Sequence, residues 1–223
     1  LLRRTFGDKI EYIDDESLSN TNDYDFHIAM GSLPKFLRPC LNSFQRCKKF
    51  RLKVDTDKSQ KLRSKLVDNR YEKLVGISWK SKSTKNPNKS MHLERFILGI
   101  NSPGIKFICL QYGEVKEEIF DLKKRHNIDI FEIEEIDNFR DIDGLASLIN
   151  ACDEVVTTNN VTVPLSGAIG VKTNVLLDLT CGWEYGIDDK KSYWFPSVKL
   201  FRQESSGEWG KPLDQIKKEI SLS

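Results

Sequence analysis

Lysines, hydroxyls and side-chain amides gather in three short stretches of this chain, each directly after an apolar run. The first is GISWKSKSTKNPNKS, where Lys80, Ser81, Lys82, Ser83, Thr84, Lys85 and Lys89 mix ammonium and hydroxyl groups. Such a set suits phosphate oxygens, which accept several charge-assisted hydrogen bonds at once. A solvated basic loop has the same composition. The second is LQYGEVKEE, in which Gln111, Tyr112 and Glu114 surround Gly113. A carboxylate at a strand end can accept from ribose hydroxyls, and glycine permits the bend, although an ordinary turn reads the same way.

The third stretch is NNVTVPLSGAIG, residues 159–170. Asn160 or Thr162 can cap a helix there, Pro164 suits its first turn, and amides around Val161–Val163 are candidates to receive a phosphate. The small residues Gly167 and Ala168 are expected to let the helix lie close to the sheet. A well-capped strand-to-helix turn without a ligand is the alternative. A fourth glycine turn, FGDK at Phe6–Lys9, is discounted because the strand-like KIEYI follows at once.

The elements that must hold these stretches follow from hydropathy. From residue 72 onward, strand-like runs (EKLVGISW, IKFICLQ, IDIFEI, EVVTT, TNVLLDL, VKLFRQ) alternate with helical patterns (HLERFILGI, VKEEIFDLKKRH, DIDGLASLINA, PLSGAIG). PLDQIKKEISL reads as a terminal amphipathic helix. Alternation with short connections predicts an α/β fold, a Rossmann-like parallel sheet with helices on both faces. In such sheets ligands bind beyond the carboxyl ends of the strands, where all three stretches fall. Residues 178–197 interrupt the rhythm with a loop holding Trp183, Tyr185, Tyr193, Trp194 and Phe195, a packing flap or a wall of the crevice. Before residue 72, KIEYI and YDFHIAM read as strands, SLPKFLRPCLNSF as a short helical connection and DTDKSQKLRSKLVDNR as a polar helix that could join two lobes. The expected division is 1–70, an incomplete N-terminal α/β portion with a linker helix, and 71–223, a Rossmann-like domain.

Composition narrows the chemistry. Across 223 residues, Lys+Arg 35 against Asp+Glu 33 leaves a net charge of +2, which does not favour a nucleic acid polymer as partner. Cys40, Cys47, Cys109, Cys152 and Cys181 form no C-x-x-C pair, arguing against a zinc site or disulfide framework and for a reducing, cytoplasmic location. His27, His92 and His126 stand apart from one another, which leaves little for a metal cluster or a Ser-His-Asp triad. No dinucleotide G-x-G-x-x-G or phosphate-loop motif follows a strand, so nicotinamide and P-loop chemistry are disfavoured. No apolar run approaches the roughly 20 residues of a membrane helix. The start at Leu1 rather than methionine suggests a piece of a longer protein.

Taken in order, DYDFHIAMGSLPKFLR, LVGISWKSK, FICLQYGE, DIDGLASLINACDEVVTTNNVTVPLSGAIGVKTNVLL, GWEYG and SYWFPSVKLFRQESSGEWGKPLDQI span roughly residues 22–219. They resemble the nucleotide-sugar-binding C-terminal lobe of GT-B glycosyltransferases, specifically heptosyltransferase-like proteins and the bacterial glycosyltransferase-like domains that follow tetratricopeptide repeats. The resemblance implies metal-independent sugar transfer, with no cofactor and a nucleotide-diphosphate sugar as substrate. It implies a diphosphate against Asn159, Asn160, Val161 and Thr162, assisted by Lys80 and Ser81. The nucleoside would lie near Gln111, Tyr112 and Glu114, with the base near Ile142 and Asp143. The chain departs from the family at Asn159, where an acidic residue is usual, and at Pro164, where a histidine is usual. The acceptor loop, which can bear a catalytic carboxylate, would lie upstream of Leu1, so the isolated chain is expected to bind a donor without turning it over; an upstream repeat domain is a candidate partner. A catalytically inactive binding or interaction module of the same fold is the alternative.

Overall fold

The computed structural model of the chain describes residues 1–12, 25–45, 50–82, 89–187 and 189–221. Ser83, Thr84, Lys85 and Cys47 lie outside these residues. Six strands form one parallel sheet: β1 (Lys73–Ser78), β2 (Ile105–Cys109), β3 (Ile130–Phe131), β4 (Glu154–Thr158), β5 (Lys172–Leu177) and β6 (Val198–Arg202). Their spatial order is β3-β2-β1-β4-β5-β6. Connections run outward from β1 in one direction to β3, then cross to β4 and run outward in the other. The loops leaving β1 and β4 therefore diverge above adjacent strands, opening a crevice at their carboxyl ends.

Nine helices accompany the sheet among the described residues: α1 (Leu2–Phe6), α2 (Leu33–Leu37), α3 (Asn42–Gln45), α4 (Thr56–Leu66), α5 (Leu93–Ile100), α6 (Lys116–His126), α7 (Ile142–Ala151), α8 (Thr162–Ile169) and α9 (Gly210–Ser221). Local sequence sets their ends. Asp55 caps α4 through the Lys58 amide at 2.9 Å, and Asp141 caps α7 through the Gly144 amide at 2.7 Å. Gly170 closes α8 at φ 91°, a conformation that favours glycine.

Side-chain alternation along the strands divides the core into two layers. Val75, Ile77, Phe107 and Val156 face α5, α6 and α9, where Leu93, Phe96, Ile97 and Ile100 present one stripe at positions i, i+3, i+4 and i+7. Leu74, Ile108 and Val155 face the opposite way, toward Leu145, Leu148 and Ile149 of α7, Leu62 and Leu66 of α4, and Leu165 of α8. The charged helix α4, read from sequence as a connector, lies against α7 in this second layer. At the start of the central strands, the fully buried Glu154 is paired by Lys73 and, at 3.1 Å, by Lys172, while Asn174 donates to it at 3.1 Å.

Two expectations differ from the structure. Residues 10–12 and 25–29, read as strands, have no strand conformation, and none of the six strands pairs with them. Their alternation lacks a partner, and a strand needs its ladder to be stable. The run IDIFEI forms a strand of only two residues. No helix among the described residues is long and apolar enough to cross a membrane, and no three His, Cys, Asp or Glu side chains among them come together as a metal cluster.

Candidate functional site

The crevice is built by the ends of β1, β2 and β4. Ser78 closes β1 with a fully buried hydroxyl, and the chain then turns through Trp79 to Lys80. Gln111, just beyond β2, reaches over this turn. Its Oε1 accepts from the Ser78 hydroxyl at 3.0 Å, the Trp79 amide at 2.9 Å and the Lys80 amide at 2.8 Å. Its Nε2 donates to the carbonyls of Lys80 at 3.3 Å and Tyr112 at 3.1 Å. An amide has few further bonds to offer, and Gln111 is buried, so its role here is to fix the β1 loop.

Asn160 does the same from β4. Its Nδ2 donates to the Ser78 hydroxyl at 2.8 Å and to the Lys80 carbonyl at 3.2 Å. Its Oδ1 accepts the Thr162 amide at 2.9 Å, and its carbonyl accepts the Val163 amide at 3.1 Å. Two of the amides read as phosphate donors are thus engaged by Asn160 itself, because the residue that leads into the helix satisfies its first turn. Val161 is exposed beside them, whereas the Thr162 side chain is fully buried and its hydroxyl has no hydrogen-bond partner among the described residues. Asn159 turns the other way, accepting from the Tyr185 hydroxyl at 2.9 Å.

The charges at the rim are also partnered. The Lys80 ammonium pairs with Glu118 in the first turn of α6, and the Trp79 indole donates to the same carboxylate at 3.0 Å. Partial burial draws the Lys80 ammonium below the ordinary lysine value. Ser81 is tied to Ser90, whose hydroxyl accepts the Ser81 amide at 3.0 Å. Lys82 lies over the rings of Phe139 and Tyr112, at 4.6 and 5.8 Å, while its amide donates to the Tyr112 hydroxyl at 2.9 Å. Gly113 takes φ 86° in the next turn, and Glu114 beyond it is exposed.

Asp143 stands apart from this network, in the first turn of α7. It accepts both terminal nitrogens of Arg4, at 2.9 and 2.8 Å, and that guanidinium holds its carboxyl below the usual carboxylate range. A cavity of about 640 Å³ connects it to the β4 turn, lined by Leu2, Leu52, Ile142, Asp143, Val161 and Pro164. The structure therefore gathers Lys80, Gln111 and Asn160 into one hydrogen-bonded cluster and joins Asp143 to Val161 through the cavity, while Glu114 belongs to neither group.

Gly167 has a different purpose from the one expected. A Cβ on Gly167 would lie 2.5 Å from Cγ of Phe195, so the glycine admits the aromatic loop rather than the sheet. Ser166 makes the approach to the sheet, accepting from the Thr173 hydroxyl at 2.9 Å. The aromatic loop is anchored further by Arg202, which donates to the carbonyls of Tyr185 at 2.5 Å and Gly186 at 3.2 Å. Trp183 remains 71% exposed. Ser78 and Glu118, both integral to the cluster, were not singled out from the sequence. A serine ending the apolar run VGIS was a usable signal for the first; nothing in the spacing marked the second, 38 residues beyond its lysine.

No protein-family model matches the chain. It is 29% identical over 202 residues to Protein FlbA of Caulobacter vibrioides, covering 89% of this chain and 33% of that protein. Among solved structures it is similar to a glycosyl transferase family 9 protein from Veillonella parvula, with a TM-score of 0.52 and 11% identity over 79% of this chain and 53% of the other. It is also similar to the E. coli ADP-heptose LPS heptosyltransferase II, with a TM-score of 0.55 and 11% identity over 77% of this chain and 53% of that one. The chain spans about a third of the curated relative it matches and about half of each of these structures. The likeness establishes a shared Rossmann-like α/β fold of the kind found in these GT-B glycosyltransferases.

Proposed function

We propose that this chain is the nucleotide-sugar-binding part of a GT-B glycosyltransferase that holds the donor diphosphate between the β1 loop at Lys80 and Ser81 and the β4 turn at Asn159–Thr162. The observation that carries the reading is the meeting of these two loops, tied through Ser78 and Asn160, at the point where the direction of strand succession reverses. The cavity running from Val161 to Asp143 offers an apolar volume suited to a base, with one carboxylate at its wall. The ribose in this reading lies near Tyr112, whose hydroxyl accepts the Lys82 amide, and the exposed Glu114 just beyond it.

In this reading the diphosphate charge meets Lys80 and the exposed end of the β4 turn at Val161, without a bound metal. The E. coli neighbour is named for an ADP-heptose donor, which makes ADP the first nucleotide to test. The acceptor and the general base belong to the whole transferase, which acts in the cytoplasm, with upstream repeats as a candidate partner domain.

A second reading is favoured by one observation: Lys80, Gln111 and Asn160 are satisfied by one another and by Glu118, and Pro164 brings no donor to the turn. On that basis the domain is a GT-B-like interaction module without catalysis. Calorimetry with ADP, UDP, GDP and CMP decides between them. Saturable binding of one nucleotide, weakened by both Asn160→Ala and Lys80→Ala, supports the donor site. Absence of binding by a cooperatively folded chain rejects it in favour of the module.

A further inference from the structure

The Lys80 ammonium does not wait in solvent for a ligand. Its main chain is held by Gln111 and Asn160, through bonds to its amide at 2.8 Å and its carbonyl at 3.2 and 3.3 Å. Its side chain ends on Glu118, and Glu118 is itself fixed by the indole of the fully buried Trp79 at 3.0 Å. Trp79 and Lys80 are consecutive, so one carboxylate engages two successive side chains of the loop that borders the crevice. Glu118 rises from the first turn of α6, where the positive end of the helix favours a negative charge. The carboxylate thus has three reasons to stay where it is: the ammonium, the indole and the helix end.

We propose that Glu118 is a resident counter-ion of the donor site, occupying the Lys80 ammonium until a phosphate group of the ligand takes it over. The proposal rests on the donor-site reading and adds its selectivity. Binding exchanges one ion pair for another, so a ligand gains only to the extent that its charge on Lys80 exceeds that of one carboxylate. A pyrophosphate group, with several negative oxygens and additional contacts to the β4 turn, meets that requirement. A monophosphate meets it less well, and a neutral sugar not at all. The Trp79 indole lets the exchange occur without stranding Glu118, which keeps one donor after Lys80 leaves. Glu118 is therefore a positioning and specificity-determining residue.

The test is calorimetric titration of the chain with inorganic pyrophosphate, AMP and ADP, comparing wild type with Glu118→Gln, Lys80→Ala and the double variant. Glutamine retains an acceptor for the Trp79 indole and removes the charge, so the loop keeps its support. Because the pair is partly exposed, Glu118→Gln is expected to tighten pyrophosphate and ADP about fivefold, the equivalent of a typical exposed ion pair at its upper range. It should also narrow the preference for ADP over AMP, and both effects should vanish in the double variant. Glu118→Asp, which keeps the charge but withdraws it by one methylene, should fall between wild type and glutamine. If Lys80→Ala weakens ADP while Glu118→Gln leaves it unchanged or weaker, the counter-ion role is wrong and the donor site stands. If Lys80→Ala has no effect, or neither pyrophosphate nor ADP binds wild type or Glu118→Gln, the donor site fails and the counter-ion role with it.

Discussion

The side-chain amide of Asn160, in the turn that follows β4, donates to the hydroxyl of Ser78 at the end of β1, 82 residues earlier, at 2.8 Å. This bond ties the end of β1 to the turn after β4, the adjacent parallel strands at which the order of succession reverses. It also makes Asn160 a structural residue as well as a candidate ligand contact, since the same side chain accepts the Thr162 amide at the start of α8.

Asn160→Ala is expected to destabilise the chain as well as weaken nucleotide binding. The substitution leaves the buried Ser78 hydroxyl and the Thr162 amide short of a partner, a loss of about 2 kcal/mol. For a domain of this size that lowers the melting temperature by about 4–8 °C. Scanning calorimetry checks it, and an unchanged melting temperature would show that the bridge contributes nothing to the fold.

Gly167→Ala places a methyl group 2.5 Å from Cγ and 2.7 Å from Cβ of Phe195, atoms close to the backbone that do not swing aside freely. Overpacking of this kind costs about 1–3 kcal/mol. The urea midpoint should fall with the slope unchanged, and the double variant Gly167→Ala/Phe195→Ala should lose less than the sum of the two single losses, because the truncated side chain relieves the clash.

Glu154→Ala removes the carboxylate that faces Lys73 and Lys172 in the interior of the sheet. Lys73 is largely buried and would keep the Ile220 carbonyl, at 2.8 Å, but lose the opposing charge, with a loss of about 3–5 kcal/mol. Glu154→Gln, which retains the shape and the contact with Asn174, should lose less. Equal stability of the alanine variant and wild type in denaturant titration would contradict the assignment.

Burial pushes the thiols of Cys109 and Cys152 up to about 12. At pH 8 almost none of either is thiolate, the reactive form. In the folded chain a maleimide or an aromatic disulfide should therefore label the exposed Cys40 and spare Cys109 and Cys152. Peptide mass spectrometry reads this directly. Labelling of the two buried sites should appear only when denaturant unfolds the chain, and rapid labelling at pH 8 without denaturant would contradict their burial.

The elements from residue 72 onward were legible because each carries its own period. The i, i+3, i+4, i+7 stripe of Leu93, Phe96, Ile97 and Ile100 marks a helix wherever it packs, and Val155–Val156 marks a buried strand. The partnerships were not legible. Ser78 with Asn160, Lys80 with Glu118 and Arg4 with Asp143 depend on crossover connections that bring distant segments together, and periodicity does not encode that register. Gly167 illustrates the same limit: a small residue announces that something comes near, and only the fold shows that it is Phe195. The strands expected at 10–12 and 25–29 failed for the complementary reason. Alternation is a property of the segment, whereas a strand is a property of a pair.

The long loop after β5 is fastened to the β4 turn through Tyr185 on Asn159 and to the following helix α8 through Phe195 against Gly167. A turn clamped in this way has little ordering left to undergo when a ligand arrives. Encounter at this turn should then proceed without a slow closing step, and its contribution to the heat-capacity change of association should stay small, because neither the turn nor α8 has to fold on binding. Affinity differences among ligands would appear in how quickly each one leaves.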